Sequence, residues 1–236
     1  MTSLTRRPSA TDLAIWQIDL DAALTHGTDT VLSAEERSRA NRFVQDRNRR
    51  HFVAAHVALR QILAACTGTD AGNLRFRVGS FGKPTLVHPE SVHFNLSHSQ
   101  GTALVAVGAG SQLGVDVELI RPLRDALTLA EDHFTEAERK ALRALSVRAR
   151  DQAFLTCWTR KEACLKALGV GLQLLARSFE AGVIADARTV EIPTPHGIAH
   201  LALGPVDTEI GSVGSVAQWL DAGPDCLTER AAELFV

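Results

Sequence analysis

The sequence lacks an excess of charge of either sign. Its 25 lysine and arginine residues nearly balance 27 aspartate and glutamate residues, which gives a formal net charge of −2 over 236 residues. Net charge therefore supplies no argument for nucleic acid or a membrane surface as the partner, although charge can still cluster locally.

Cysteine is scarce, and long apolar runs are absent. The four cysteines, Cys66, Cys157, Cys164 and Cys226, form no CxxC motif and match no zinc-site spacing. We therefore expect reduced, mostly buried thiols in a reducing compartment. No run of 18 apolar residues occurs, and the N-terminal MTSLTRRPSATD lacks the apolar core of a signal peptide. These absences predict a soluble cytoplasmic protein.

The periodicity in the first half of the chain predicts a mixed α+β structure. LAIWQIDL alternates as a strand does, and LSAEERSRANRF begins with a capping box of Ser33 and Glu36. Helical periodicity continues from there to Gly68. Short strands are predicted after it, around LRFRV, SVHFNLS, TALVAVG and QLGVDVELI.

The second half repeats this rhythm. Thr135 and Glu138 form a second capping box, a helix containing WTRKEACLKALG ends at Gly169, and strand-like pieces follow around SFEAGVIA, TVEIP, GIAHLALG and SVAQWL. No linker-like segment separates the halves. We predict two α+β halves, residues 1–112 and 113–236. The periodicity alone fits both an internal duplication and the ordinary rhythm of any α+β chain.

The motif GVDVE places two carboxylates on one face of a predicted strand. Asp116 and Glu118 point the same way, while the valines point to the other side. Adjacent carboxylates repel each other unless a cation or proton lies between them, and oxygen ligands suit Mg²⁺. The alternative is a pair of solvated charges on an exposed strand.

The helix FLTCWTRKEACLKALG carries Trp158, Glu162 and Lys166 at positions i, i+4 and i+8, with Lys161 beside them. Glu162 and Lys166 alone could be an ordinary surface ion pair. The lysine of FGKPTL, Lys83, lies in a predicted turn, from which it can reach a phosphate as a point charge.

Arginines cluster on the first helical stretch. The run contains Arg37, Arg39, Arg42, Arg47, Arg49 and Arg50 against one acid, Asp46. The guanidinium fork suits phosphate, but a solvated helix face fits as well. A nucleic-acid-binding module is a further alternative, although no aromatic residues interleave with the arginines for base stacking.

The segment FNLSHS looks like hydrolase machinery, but the strand pattern argues against that reading. Ser97 and His98 would point to opposite faces, and no GxSxG elbow exists in the chain. The remaining interpretation is a polar strand end whose hydroxyl, imidazole and backbone N–H groups suit a phosphate.

FGKPTL, FNLSHS, GVDVE and FLTCWTRKEACLKALG span residues 81–169 in this order. The set resembles the motifs of 4′-phosphopantetheinyl transferases of the surfactin-synthetase type. The resemblance implies two similar α/β halves related by a pseudo-twofold axis, with the active site in the cleft between them. It also implies that coenzyme A gives its phosphopantetheine arm to a serine of an apo carrier protein, with adenosine 3′,5′-bisphosphate as the second product.

Carried over residue by residue, the resemblance implies roles for the motif residues. Asp116, Glu118 and Glu162 would bind Mg²⁺, or Mn²⁺ in its place. Glu162 would be the general base, with Lys166 and Asp116 as further catalytic residues. Coenzyme A would contact Arg39, Arg47, Lys83, Asn95, Ser97, His98, Lys161 and Lys166. Glu36 stands where some relatives carry lysine, so Arg39 or Arg47 would take the 3′-phosphate contact.

The resemblance also implies the partners. These are apo acyl or peptidyl carrier proteins, or carrier domains of polyketide, nonribosomal peptide or fatty acid synthases, with neither nucleic acid nor membrane involved and the enzyme a monomer. The segment HFTEAERKAL lies where relatives meet the carrier. A coenzyme A-binding protein that has lost catalysis is the alternative, against which the presence of all three carboxylates argues.

Overall fold

The computed structural model describes residues 4–7, 13–22, 28–169 and 175–220. The α-helices in these residues are α1 Ala34–Ala40, α2 Asp46–Thr67, α3 Ala126–His133, α4 Glu136–Arg143 and α5 Val147–Leu168. The strands are β1 Leu4–Arg7, β2 Ala14–Asp19, β3 Phe76–Val78, β4 Pro84–Leu86, β5 Val92–Ser99, β6 Thr102–Ala109, β7 Leu113–Leu119, β8 Arg188–Thr194, β9 Gly197–Val206 and β10 Ser212–Trp219. The predicted mixed α and β content is confirmed.

Two antiparallel four-stranded sheets form the framework. Their strand orders are β1-β2-β6-β5 and β7-β10-β9-β8, and β3 pairs with β4 in a separate hairpin. Ala55 and Leu59 of α2 pack on the first sheet, and Ala163 and Leu165 of α5 belong to the apolar core of the second. Each sheet thus buries its apolar face under a helix of 22 residues.

Both long helices end as the sequence predicts. Gly68 and Gly169 adopt left-handed conformations with φ of 69° and 70°, where glycine avoids the strain that a Cβ would cause. The capping boxes at Ser33 and Thr135 are also present. None of the helices among the described residues combines the length and apolar composition needed to cross a membrane.

The prediction of one continuous helical stretch from Ser33 to Gly68 is wrong. The chain turns between α1 and α2, where Gln45 is extended, with φ −89° and ψ 123°. Phe43 lies in this turn and packs against Phe52 of α2, with ring centroids 5.4 Å apart. Because an apolar contact spans the break, the sequence pattern carries no sign of it.

The strand predicted around SFEAGVIA is also absent, since residues 178–185 contain no strand. The backbone there binds side chains instead of a neighbouring strand. The carbonyls of Phe179 and Ala181 accept hydrogen bonds from Lys161 and Arg160 at 2.7 and 2.6 Å. Gly182 has φ 82°, which does not fit a strand.

The three cysteines that the structure describes agree with the prediction of free, mostly buried thiols. Cys66, Cys157 and Cys164 are all free, but Cys66 is exposed while the other two are buried. Burial raises the pKa of Cys164 to about 12, so this thiol stays protonated. Cys226 lies outside the described residues.

A buried polar network joins α1 to α2. Glu36 Oε2 accepts hydrogen bonds from Arg60 Nε and Ser33 N at 2.7 Å each, and Glu36 Oε1 lies 3.1 Å from His56 Nδ1. Burial raises the pKa of Glu36, but the hydrogen bonds from His56, Ser33 and Arg60 outweigh it and lower the pKa from 4.5 to about 2. Glu36 therefore stabilises the fold as a carboxylate.

We expect Glu36→Gln to destabilise the protein by about 2–3 kcal/mol at pH 7. This deficit should shrink as the pH falls from about 4.5 towards 2. The contacts of Glu36 stabilise the folded protein only while its side chain is a carboxylate, and this stabilisation is lost as the carboxylate takes up a proton. Urea unfolding of both proteins across this range measures the deficit. Glu35→Gln, at an exposed position of the same helix, is the control. A deficit independent of pH would contradict the assignment.

Candidate active site

Two edge strands from different sheets meet through polar side chains. Alternate residues of β5 bind β7: Asn95 Oδ1 accepts from Val115 N at 2.9 Å, Ser97 Oγ donates to Asp116 Oδ1 at 2.6 Å, and Ser99 Oγ donates to Glu118 Oε2 at 2.7 Å. We call this contact the β5–β7 seam. It brings the motifs FNLSHS and GVDVE together along one line.

Lys166 of α5 completes a polar cluster at the seam. Its Nζ lies 2.6 Å from Asp116 Oδ1 and donates to Ser97 Oγ at 3.0 Å. Asp116 is 6% exposed, so this ion pair is largely shielded from water. Burial raises the pKa of the Asp116 carboxyl, and the Lys166 ammonium opposes that rise.

Glu162 lies one turn before Lys166 on the same helix. Burial raises the pKa of its carboxyl, and the charges of Asp116 and Glu118 raise it further. No hydrogen bond to this carboxylate is found among the described residues. A half-buried carboxylate with a raised pKa is suited to accept a proton during a reaction.

The helix α5 approaches β7 closely at Gly114. A Cβ at this position would lie 2.2 Å from the carbonyl oxygen of Ala163 and 2.4 Å from the amide nitrogen of Ala167. Only glycine allows this contact, because any larger residue would collide with helix backbone. The contact lies beside Lys166 and two residues before Asp116.

Histidines lie on the other side of β5. Burial lowers the pKa of His98, and the positive charges of Lys166, His51 and His56 lower it further. His98 alternates with Ser97 and Ser99 along β5, so its side chain lies on the face opposite the seam, the face on which α2 packs. An anion bound there would meet several groups able to donate hydrogen bonds.

The arginines of the first helical stretch are partly engaged. Arg47 Nη2 donates to Asp21 Oδ2 at 3.1 Å, and the same carboxylate binds His51 Nε2 at 2.8 Å through Oδ1. The Arg39 guanidinium lies over the ring of Phe52, 5.2 Å from its centroid. Neither contact involves a buried arginine, so both side chains stay open to a ligand.

The sequence of this chain matches two family models and several known proteins. The model of the 4′-phosphopantetheinyl transferase superfamily matches residues 112–201, and that of the N-terminal part of these transferases matches residues 21–111. The 4′-phosphopantetheinyl transferase HetI of Nostoc sp. is 39% identical over 74% of this chain and 77% of its own length. The transferases psf-1 of Bacillus pumilus and Sfp of Bacillus subtilis are 30% and 27% identical, over 69% and 75% of this chain and 69% and 78% of their own lengths.

The chain belongs to the 4′-phosphopantetheinyl transferase superfamily. The sequence resemblance to transferases of the surfactin-synthetase type is thereby confirmed. The structure brings Ser97, Asp116 and Lys166 of the predicted site together, with Glu162 and Glu118 as close electrostatic neighbours.

Lys161 lies elsewhere in the transferase. Its ammonium pairs with Glu138 at 2.9 Å, donates to the carbonyl oxygens of Phe179 and Ala176, and is 2% exposed. The burial does not favour the predicted contact with coenzyme A.

Asn95 and Lys83 are likewise engaged by protein groups. The Asn95 side-chain oxygen binds β7, as described above. Lys83 contacts residues of β7 and α5, and burial lowers the pKa of its ammonium to about 7. Their predicted contacts with coenzyme A stay predictions.

The residues predicted to hold a metal supply suitable donors. Asp116, Glu118 and Glu162 offer only oxygen atoms, which Mg²⁺ prefers, and the charge of Glu118 raises the pKa of both Asp116 and Glu162. Within the described part of the chain, however, no group of three such side chains converges as a ligand cluster. Two of the three carboxylates already accept hydrogen bonds from the protein: Asp116 from Lys166, and Glu118 from Ser99.

Sequence reasoning missed three residues of the site. Ser99 follows Ser97 by two positions, and strand alternation could have placed it on the seam. The i, i+4 spacing of Arg47 and His51 on a helix could have identified His51. Gly114 gives no such signal, since its role depends on a helix far along the chain.

We expect Gly114→Ala to destabilise the transferase by about 1–3 kcal/mol, because its methyl group would push α5 from β7. Transferase activity should fall further than the remaining folded fraction explains. Urea unfolding and initial rates measure the two effects. Gly72→Ala, at a glycine with open space around it, is the control. Equal behaviour of the variants would refute the packing argument.

Lys161→Met tests whether this lysine serves the fold or the substrate. Removing one partner of the buried pair should cost about 3 kcal/mol, because Glu138 is left without its cation. Lys140→Met, at an exposed lysine, should change stability by less than about 0.5 kcal/mol. Chemical denaturation provides both values. A Lys161→Met protein of unchanged stability with weakened coenzyme A binding would favour the substrate role.

Proposed function

We propose that this transferase moves the 4′-phosphopantetheine arm of coenzyme A to a serine of an apo carrier protein. The products are holo-carrier protein and adenosine 3′,5′-bisphosphate. The observation that carries the proposal is the cluster of Asp116, Ser97 and Lys166 beside the carboxylate of Glu162, to which none of the described residues donates a hydrogen bond. It joins a base, a cation and oxygen donors within one largely buried site.

The reaction needs a base and a stabiliser of negative charge. The serine hydroxyl of the carrier attacks the phosphorus that bears the pantetheine arm, and Glu162 takes up its proton. A phosphorus–oxygen bond forms to the serine, and the bond to the leaving phosphate breaks. Lys166 stabilises the charge that develops on the phosphate oxygens. Its position against Asp116 and Ser97 fixes the ammonium before the substrate arrives.

Asp116, Glu118 and Glu162 would hold Mg²⁺ or Mn²⁺. The bound cation would neutralise charge on the pyrophosphate of coenzyme A. The three side chains supply oxygen donors only, which fits either ion.

The 3′-phosphate end of coenzyme A fits the histidine side of β5. The charges of His51 and His56 act on His98, so a phosphate dianion bound there would stabilise the protonated imidazole. Arg39 and Arg47 are exposed arginines of the same region, and either can add a bidentate contact. Ser97 and Asn95 would contact coenzyme A from β5, where their side chains also form hydrogen bonds across the β5–β7 seam.

The two sheets are proposed to be related halves, residues 1–112 and 113–236, with the site in the cleft between them. Matching buried contacts support this division. In each half, the glutamate of a capping box pairs with a buried cation of the long helix: Glu36 with Arg60, and Glu138 with Lys161. The equal length of the two long helices, 22 residues each, is a further observation that supports a pseudo-twofold relation.

The acceptors are proposed to be carrier domains of polyketide, nonribosomal peptide or fatty acid synthases, and the enzyme a cytoplasmic monomer. Intact-protein mass spectrometry tests the reaction. Purified protein is mixed with coenzyme A, Mg²⁺ and a panel of apo carrier proteins, with EDTA in a parallel sample. We expect a gain of one phosphopantetheine on a carrier, lost with EDTA. Binding of coenzyme A without any gain would instead favour a protein that has lost catalysis.

We expect Glu162→Ala to reduce the rate of transfer by at least about 100-fold, because the proton acceptor is removed. Asp116→Asn should also reduce it, since Lys166 and the proposed cation lose a charged partner. Circular dichroism checks that both variants fold. Glu191→Ala, at an exposed carboxylate of β8, is the matched control and should keep the wild-type rate. Near-normal rates in both site variants would show that the site is assigned wrongly.

A further inference from the structure

Lys83 occupies a junction between three parts of the chain. It lies in the turn of the β3–β4 hairpin, where Gly79 N donates to the carbonyl oxygen of Lys83 at 2.9 Å. Gly82, with φ 84°, allows the turn, and Pro84 begins β4 directly afterwards. The backbone on both sides of the lysine is therefore fixed.

The ammonium of Lys83 donates to acceptors outside its own hairpin. They are the side-chain oxygen of Gln112 at 2.9 Å, the carbonyl oxygen of Leu113 at 2.9 Å and the carbonyl oxygen of Ala167 at 3.3 Å. An ammonium has three N–H donors, so these contacts use all of them. None of the ion pairs among the described residues gives this cation a carboxylate partner, so oxygen dipoles alone stabilise its charge.

Two of the three acceptors belong to elements of the active site, and the third, Gln112, directly precedes β7. Leu113 is the first residue of β7, and Ala167 lies in the last turn of α5, where helical carbonyls lack intrahelical partners. A cation at that end also interacts favourably with the helix dipole. The indole N–H of Trp219 donates to the same Ala167 oxygen at 3.3 Å, so the end of α5 is held from two sides.

The two backbone carbonyls that Lys83 binds, those of Leu113 and Ala167, lie close in sequence to residues of the proposed site. Ala167 follows Lys166 directly, and Leu113 precedes Gly114, the residue at which α5 touches β7. A shift of either carbonyl would change the 2.6 Å contact between Lys166 and Asp116. An error of about 1 Å in such a site can cost about 100-fold in rate.

We infer that Lys83 is a positioning residue that ties the end of α5 to the start of β7 and so fixes Lys166 against Asp116. The inference rests on the proposed roles of Lys166 and Asp116. It differs from the role implied by the sequence resemblance, in which this lysine binds the nucleotide part of coenzyme A. A nucleotide ligand would have to replace protein acceptors that are already in place.

Lys83→Met separates the two roles, because it keeps the apolar stem and removes the donors. We expect kcat for transfer to fall at least about tenfold while the KM for coenzyme A stays within about twofold. Gln112→Leu should give a smaller loss in kcat, and the double variant should lose less than the product of the two single losses. Arg77→Met, which removes an exposed cation of the same hairpin, should change neither constant.

Hydrogen exchange gives a second readout that does not depend on activity. Amides of residues 163–169 should exchange faster in Lys83→Met than in the wild type or in Arg77→Met. Unchanged exchange there, or a raised KM for coenzyme A with normal kcat, would overturn the inference. Failure of the proposed function looks different, since the wild-type protein itself would then modify no carrier while the exchange difference persisted.

Discussion

The close approach of α5 to β7 is the constraint on which the site depends. Gly114 removes the side chain that would separate them, so helix backbone and strand backbone come into direct contact. The ammonium of Lys166 can then reach the carboxylate of Asp116, 2.6 Å away. Glu162 lies one turn away on the same face of α5. The chemistry thus follows from packing, because side chains of ordinary length meet only where the backbones are this close.

A second constraint is the cost of burying charge. Arg60, Arg160 and Lys161 are all fully buried, and each is surrounded by carboxylate or carbonyl oxygens. A buried ion pair adds little net stability over an apolar contact, but leaving one partner alone is costly. The main role of these buried cations is therefore to fix the positions of the segments that they bind. They hold irregular segments, such as residues 178–185, against the long helices without a strand ladder.

The sequence predicted those features that are local. Capping boxes, the glycines that end the long helices and most strands depend on a few neighbouring residues, so they could be read directly. The break between α1 and α2 could not, because Phe43 preserves the apolar pattern by packing on Phe52. The same limit explains the site. Motif spacing singled out Asp116 and Lys166, which the structure brings into contact, whereas Gly114 and the partners of Lys83 depend on contacts between distant segments.

The segment FNLSHS illustrates how alternation in a strand divides chemistry between two faces. Asn95, Ser97 and Ser99 turn to β7, where they bind the backbone and the carboxylates. His98 lies on the opposite face, the side on which α2 packs. A serine and a histidine on opposite faces cannot share a proton, which removes the hydrolase reading. The same alternation puts the contacts to Asp116 and Glu118 on one face of the strand and His98 on the other. Under the proposed function, the diphosphate of coenzyme A would lie at the face with the carboxylates and its 3′-phosphate at the face with His98, so one strand would contact both ends of the nucleotide.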